Sequence, residues 1–130
     1  MYKRQLLDLT FTGVSGGRAD LNLMSVGVIA HALAYCPRIV ENSYEARILS
    51  PRARTSWEIL RENCAPTRIS VIALERETIV SEQGCKWELD HEKLSFLGDM
   101  GISNEISQDA AVITCHKGLV YVYCEWARTE

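Results

Sequence analysis

The 130-residue chain has no long hydrophobic run: its most apolar stretch, around Val26 to Tyr35, is far short of the roughly 20 residues that a membrane-spanning helix needs. It has no basic excess either. The formal net charge of -3 argues against a protein built to neutralise phosphates, so nucleic acid is not an expected partner. There are only three prolines, and no repeat, low-complexity tract or linker, so the chain reads as one domain over 1–130. Lys3 and Arg4 are followed by Gln5-Leu6-Leu7-Asp8-Leu9, where a charge interrupts any secretory core. No signal peptide is expected, and the cytoplasm is the default location. The five cysteines, Cys36, Cys64, Cys85, Cys115 and Cys124, are odd in number and irregularly spaced, which suits reduced thiols better than a disulfide framework.

Chemical motifs are scarce as well. Zinc sites draw on close ligand pairs such as C-x-x-C, and the best set here, Cys85 with His91 and either Cys115 or Cys124, has no such spacing. No metal or cofactor is expected. Gly13-Val14-Ser15-Gly16-Gly17-Arg18 is glycine-rich, but it lacks the Lys-Ser/Thr of a P-loop and the G-x-G-x-x-G of a dinucleotide site, so it reads as a turn. No G-x-S-x-G elbow is present. Cys115 and His116 are neighbours on a strand and so point to opposite faces, badly placed to share a proton. The balance leans away from an enzyme, without deciding the matter.

What the chain does contain is an ordinary globular composition, 47% hydrophobic and 24% charged, enough to build a core. Its most strand-like part is the C-terminal end, where Ala110 to Cys115, a turn at His116-Lys117-Gly118, and Leu119 to Cys124 predict a β-hairpin. In the second strand Leu119, Tyr121, Tyr123 and Glu125 alternate with Val120, Val122, Cys124 and Trp126. Both faces are mostly apolar, which predicts cover on both sides.

Further elements follow from periodicity. Gln5 to Thr12 alternates as a strand. Asp20 or Ser25 can cap a helix ending near Tyr35, before Pro37, with alanines at 30, 32 and 34. That helix is apolar nearly all round, which predicts burial on more than one side or an oligomer contact through Val28, Ala32 and Tyr35. Tyr44 to Leu49 reads as a short strand. Thr55-Ser56-Trp57-Glu58 has capping-box form and predicts a helix to Asn63, with Trp57, Leu60 and Cys64 inward; the rival reading is a hairpin between 44–49 and 55–60 around Ser50-Pro51. Thr67 to Leu74 predicts a strand with Thr78 to Val80 as its short partner, then loop over Ser81 to Lys86. Asp90 as N-cap, Glu92 in the first turn and the Leu89/Leu94 staple predict a helix over His91 to Leu97. Ile102 to Ile106 reads as a strand edge. The sum is an α+β domain, a mostly antiparallel sheet carrying the C-terminal hairpin with two to three helices packed on it.

Three functions fit. The first is a non-enzymatic interaction protein of immunity, inhibitor or regulator type, whose partner is another protein or a second copy. The second is a binder of a small apolar or aromatic ligand, with a pocket walled by Tyr35, Tyr121, Tyr123, Trp57 and Trp87, since aromatic rings with polar tips commonly line such sites. The third is a small enzyme using His31, His91 or His116 with an acid or thiol. The first reading is preferred.

Overall fold

The computed structural model of the chain describes residues 9–13, 16–61 and 66–126. Among the described residues there are nine strands and one α-helix: β1 Thr10–Phe11, α1 Ala19–His31, β2 Arg38–Val40, β3 Tyr44–Leu49, β4 Ser56–Leu60, β5 Pro66–Ala73, β6 Thr78–Gln83, β7 Leu89–Leu94, β8 Ala110–Lys117 and β9 Val120–Trp126, with a 3-10 turn Leu33–Tyr35 after the helix. The strands form two sheets, one in the order β1-β2-β3-β9-β5 and one in the order β4-β8-β6-β7. Between these strands the pairings are antiparallel except that of β1 with β2. The α+β expectation of two to three helices therefore gives way to a β-sandwich with a single α-helix on its outside.

Alternation explains how the sheets meet. On β9, Val120, Val122 and Cys124 are buried among Val71 and Ile69 of β5, Leu49 of β3, and Ile59, Ile113 and Val80 of the opposite sheet. Such branched side chains pack well on a pleated surface, and each contributes roughly 1.5–3 kcal/mol when fully buried. The other face of the first sheet, with Ala46, Ile48 and Tyr121, packs under Ile29, Ala30 and Leu33. β9 is thus covered on both sides, by a sheet and by a helix.

The C-terminal hairpin does not form. β8 pairs with β4 and β6, whereas β9 pairs with β3 and β5, so Lys117–Leu119 carries the chain from one sheet to the other. Gly118 makes this corner at φ 86°, a conformation costly for any residue with a Cβ. The Ser50 hydroxyl donates to the Gly118 carbonyl at 2.8 Å, and the Thr78 hydroxyl, which lies against Gly118, donates to the Glu75 carbonyl at 2.7 Å. Both hydroxyls are fully buried at the junction.

Three local signatures were overridden by pairing. The capping box at Thr55 precedes β4, whose Trp57 and Ile59 alternate inward against β8, so period two prevails over the helical spacing. The rival hairpin fails too, because β3 and β4 belong to different sheets. The helix expected over His91 to Leu97 is instead the edge strand β7, paired with β6 across a register shift. His91 takes φ 49° there and donates its N–H to the Ser81 hydroxyl at 3.0 Å. β6 pairs with β7 and β8 rather than with β5.

α1 matches the expected position, but Arg18 rather than Asp20 or Ser25 is its N-cap. Only Ile29 of this helix is buried, because the sheet covers one side; Leu23, Met24, Val28 and the following Tyr35 are exposed, and Ala32 is half-buried. Gln5 to Asp8, the middle of the glycine-rich turn at Val14 and Ser15, and Asn63 and Cys64 lie outside the described residues. No described helix is long and apolar enough to cross a membrane.

Candidate functional site

The connection between β7 and β8 runs along the free edge of β5. Asn104 exchanges two backbone hydrogen bonds with Ile69, both 2.8 Å, while Val71 N–H donates to Gly101 O at 2.8 Å and Leu97 N–H to Ala73 O at 2.9 Å. The same connection reaches the β6–β7 turn, where Lys86 N–H donates to Glu105 O at 2.8 Å. Between these anchors a cavity of about 230 Å³ is lined by Glu82, Trp87, Leu89, Met100, Ile102, Ser103 and Asn104.

Asn104 organises the site and is itself fully engaged. Its Oδ1 accepts from the backbone N–H groups of Trp87 (3.1 Å) and Glu105 (2.9 Å), and its Nδ2 donates to Trp87 O (2.7 Å) and Glu82 Oε1 (3.2 Å). Both backbone groups of Trp87 are therefore held by one side chain. The Trp87 indole is 55% exposed, with the Lys86 ammonium 4.7 Å from its centroid, an arrangement favoured by the ring quadrupole. Exposed Met100 and Ile102 complete an apolar rim.

Glu82 is fully buried beside them, and its Oε2 has no hydrogen-bond partner among the described residues. Burial pushes its carboxyl up to about 7, against a smaller opposing effect of the Asn104 bond. Nearby, burial and the Glu82 and Glu88 charges push the Cys85 thiol up to about 12.

A larger cavity of about 440 Å³ lies where α1 meets the corner residues, with His31, Arg52 and Glu75 in its wall. Arg52 and Glu75 already pair with each other at 2.8 Å, whereas the smaller cavity joins an exposed aromatic plate to an unsatisfied buried acceptor. The smaller one is the stronger candidate.

The five aromatics singled out in the sequence are dispersed. Trp87 lines the 230 Å³ cavity. Trp57 lies between the sheets under the Arg47 guanidinium, 4.4 Å from its ring centroid. Tyr121 and Tyr123 occupy the outer face of β9, the latter 5.0 Å from Tyr44, and Tyr35 is exposed beyond α1. Glu82 and Asn104 were missed. Glu82 shares a strand phase with Thr78 and Val80, and all three are buried in β6, but the β-branched run that marks a strand in the sequence stops at Val80.

The family model described as the thiamin pyrophosphokinase vitamin B1 binding domain matches residues 58–120, just under half of the chain. No curated protein sequence matches. Among solved structures, thiamine pyrophosphokinase from Bacillus subtilis superposes with a TM-score of 0.77 at 20% identity, over 91% of this chain and 55% of that one. Thiamin pyrophosphokinase from Geobacillus thermodenitrificans gives 0.74 at 17% identity (94% and 55%), and the yeast enzyme 0.71 at 18% (92% and 40%). The chain shares their fold and spans about half of their length. These matches overturn the reading as a non-enzymatic interaction protein of immunity, inhibitor or regulator type. Burial pushes the Cys115 thiol up to about 11 and the Cys124 thiol up to about 12.

Proposed function

We propose that this chain binds thiamine, as the vitamin-holding part of a pyrophosphokinase-type protein in which the vitamin is the acceptor of a pyrophosphoryl group. The observation that carries the reading is that every residue lining the 230 Å³ cavity falls within the segment 58–120 matched by the vitamin B1 binding family. The chemistry agrees. Thiamine joins an aminopyrimidine to a cationic thiazolium, and Trp87 offers an exposed aromatic face suited to either ring. Leu89, Met100 and Ile102 supply apolar walls, and the Ser103 hydroxyl and Glu82 carboxyl supply polar groups. The cavity is smaller than the roughly 300–1,000 Å³ of sites that enclose a drug-sized ligand. It therefore takes one ring and leaves the hydroxyethyl arm, where the group is transferred, directed outward.

Titration with thiamine should change tryptophan emission saturably. Trp87→Ala should abolish most of that change and weaken binding roughly ten-fold or more, the loss of stacking by a heteroaromatic ring being about 1–3 kcal/mol. No saturation by the unaltered chain at millimolar thiamine would refute the reading.

A further inference from the structure

Glu82 holds the one buried side-chain oxygen or nitrogen, among the described residues, that has no hydrogen-bond partner. Its Oε1 takes one N–H of Asn104, and the other N–H of that amide goes to Trp87 O, so Asn104 has no further proton to offer Oε2. The remaining surroundings do not supply one. Along the chain stand the neutral Cys85 thiol, Lys86 with its ammonium over Trp87, and Glu88, whose carboxylate takes the Gly84 N–H at 2.7 Å. Across the sheet, Glu82 faces Leu89 on β7 and Ile113 on β8, neither of them titratable. A buried acceptor left in this condition is costly and rare in native folds. Because Glu82 also belongs to the cavity wall, although it has no exposed surface while the cavity is empty, a donor can come from an occupant that settles into that wall.

Building on the thiamine reading, we propose that Glu82 determines specificity: its Oε2 accepts an N–H from an exocyclic amino group on the heteroaromatic ring that stacks against Trp87. An oxo group at the same ring position would bring a lone pair against the ionised carboxylate, and only the protonated carboxyl has an O–H to give it, so above pH 7 the site selects the amino-substituted ring over its oxo counterpart. The proton balance follows. In the free protein the carboxyl titrates near 7, so at slightly acidic pH it is mostly protonated. A ligand N–H favours the ionised form, and binding then releases the proton to solvent. Affinity accordingly rises as pH increases toward 7 and levels off above it.

The test is calorimetric titration of the unaltered chain with thiamine at pH 6.5, in two buffers of different ionisation enthalpy, followed by oxythiamine, the 4-oxo analogue. We expect release of about three-quarters of a proton per thiamine bound at pH 6.5, and, with the titrations repeated at pH 8 where the carboxylate is ionised, thiamine binding at least about ten-fold tighter than oxythiamine. Glu82→Gln, of the same size and without a charge to desolvate, should abolish proton release and bring the two ligands within about three-fold of each other. Thiamine binding without proton release, or an unchanged ligand ratio in Glu82→Gln, would overturn the assignment. Proton release is read on the unaltered chain and does not depend on the variant folding. If thiamine fails to bind while 4-aminopyrimidine binds with proton release, the vitamin reading falls and the role of Glu82 stands; binding of neither overturns both.

Discussion

Glu82 imposes a pH dependence on the fold itself. Its carboxyl moves from an ordinary 4.5 to about 7 on folding, so between these values the folded chain holds a proton that the unfolded chain has lost. Stability therefore falls as pH rises through that window, by on the order of 3 kcal/mol from this group, and is flat above it. Thermal melts from pH 4 to 8 should show the decline on top of the other titrations, and Glu82→Gln should remove it and raise the melting temperature at pH 8. A Glu82→Gln protein with an unaltered profile would show that the Glu82 carboxyl titrates in the folded chain as it does in the unfolded one. The residues of this site were unequally legible. Trp87 stands out by type alone, because an indole in a polar stretch is conspicuous. Asn104 carries no such mark: its role is to satisfy the backbone of a residue 17 positions away, and no local pattern encodes a contact of that range.

At the scale of elements, the sequence was most readable where one face meets one neighbour. α1, β3 and β5 came close to their observed bounds because alanine content, period-two alternation and β-branching act locally. It was least readable where helix-end chemistry sits on a strand. Asp90 and Glu92 would cap a free helix, but β7 completes an edge of the second sheet and its pairing with β6 prevails. The corner between β8 and β9 was also misread, since a glycine flanked by strands marks a reversal without saying whether the strands then pair. Gly118→Ala should be damaging at this corner. The new methyl would meet Thr78, whose Cα lies 2.9 Å from the ideal Cβ position, at a φ already unfavourable for alanine. We expect a loss of roughly 2 kcal/mol or more, read as a lower denaturant midpoint; an unchanged midpoint would mean that the corner relaxes freely.

For the whole molecule, the two sheets share one core, and the chain crosses between them at Ser50 and at Gly118, so neither sheet has an independent interior. Cys36, Cys85, Cys115 and Cys124 are all buried. At pH 8 these four thiols should react with a small disulfide reagent only as fast as the protein opens, and in step with the loss of tryptophan signal. Rapid labelling of any of them, located by peptide mapping, would contradict a single cooperative sandwich. Residues 97–104 meanwhile do two things at once: they wall the cavity and occupy the backbone groups along β5 that would otherwise face solvent. An uncovered strand edge is a template on which other chains can add. A ligand that keeps Met100 to Asn104 in place thereby also guards the protein against aggregation, so solubility over time in dilute solution becomes a property of the occupied cavity as much as of the chain.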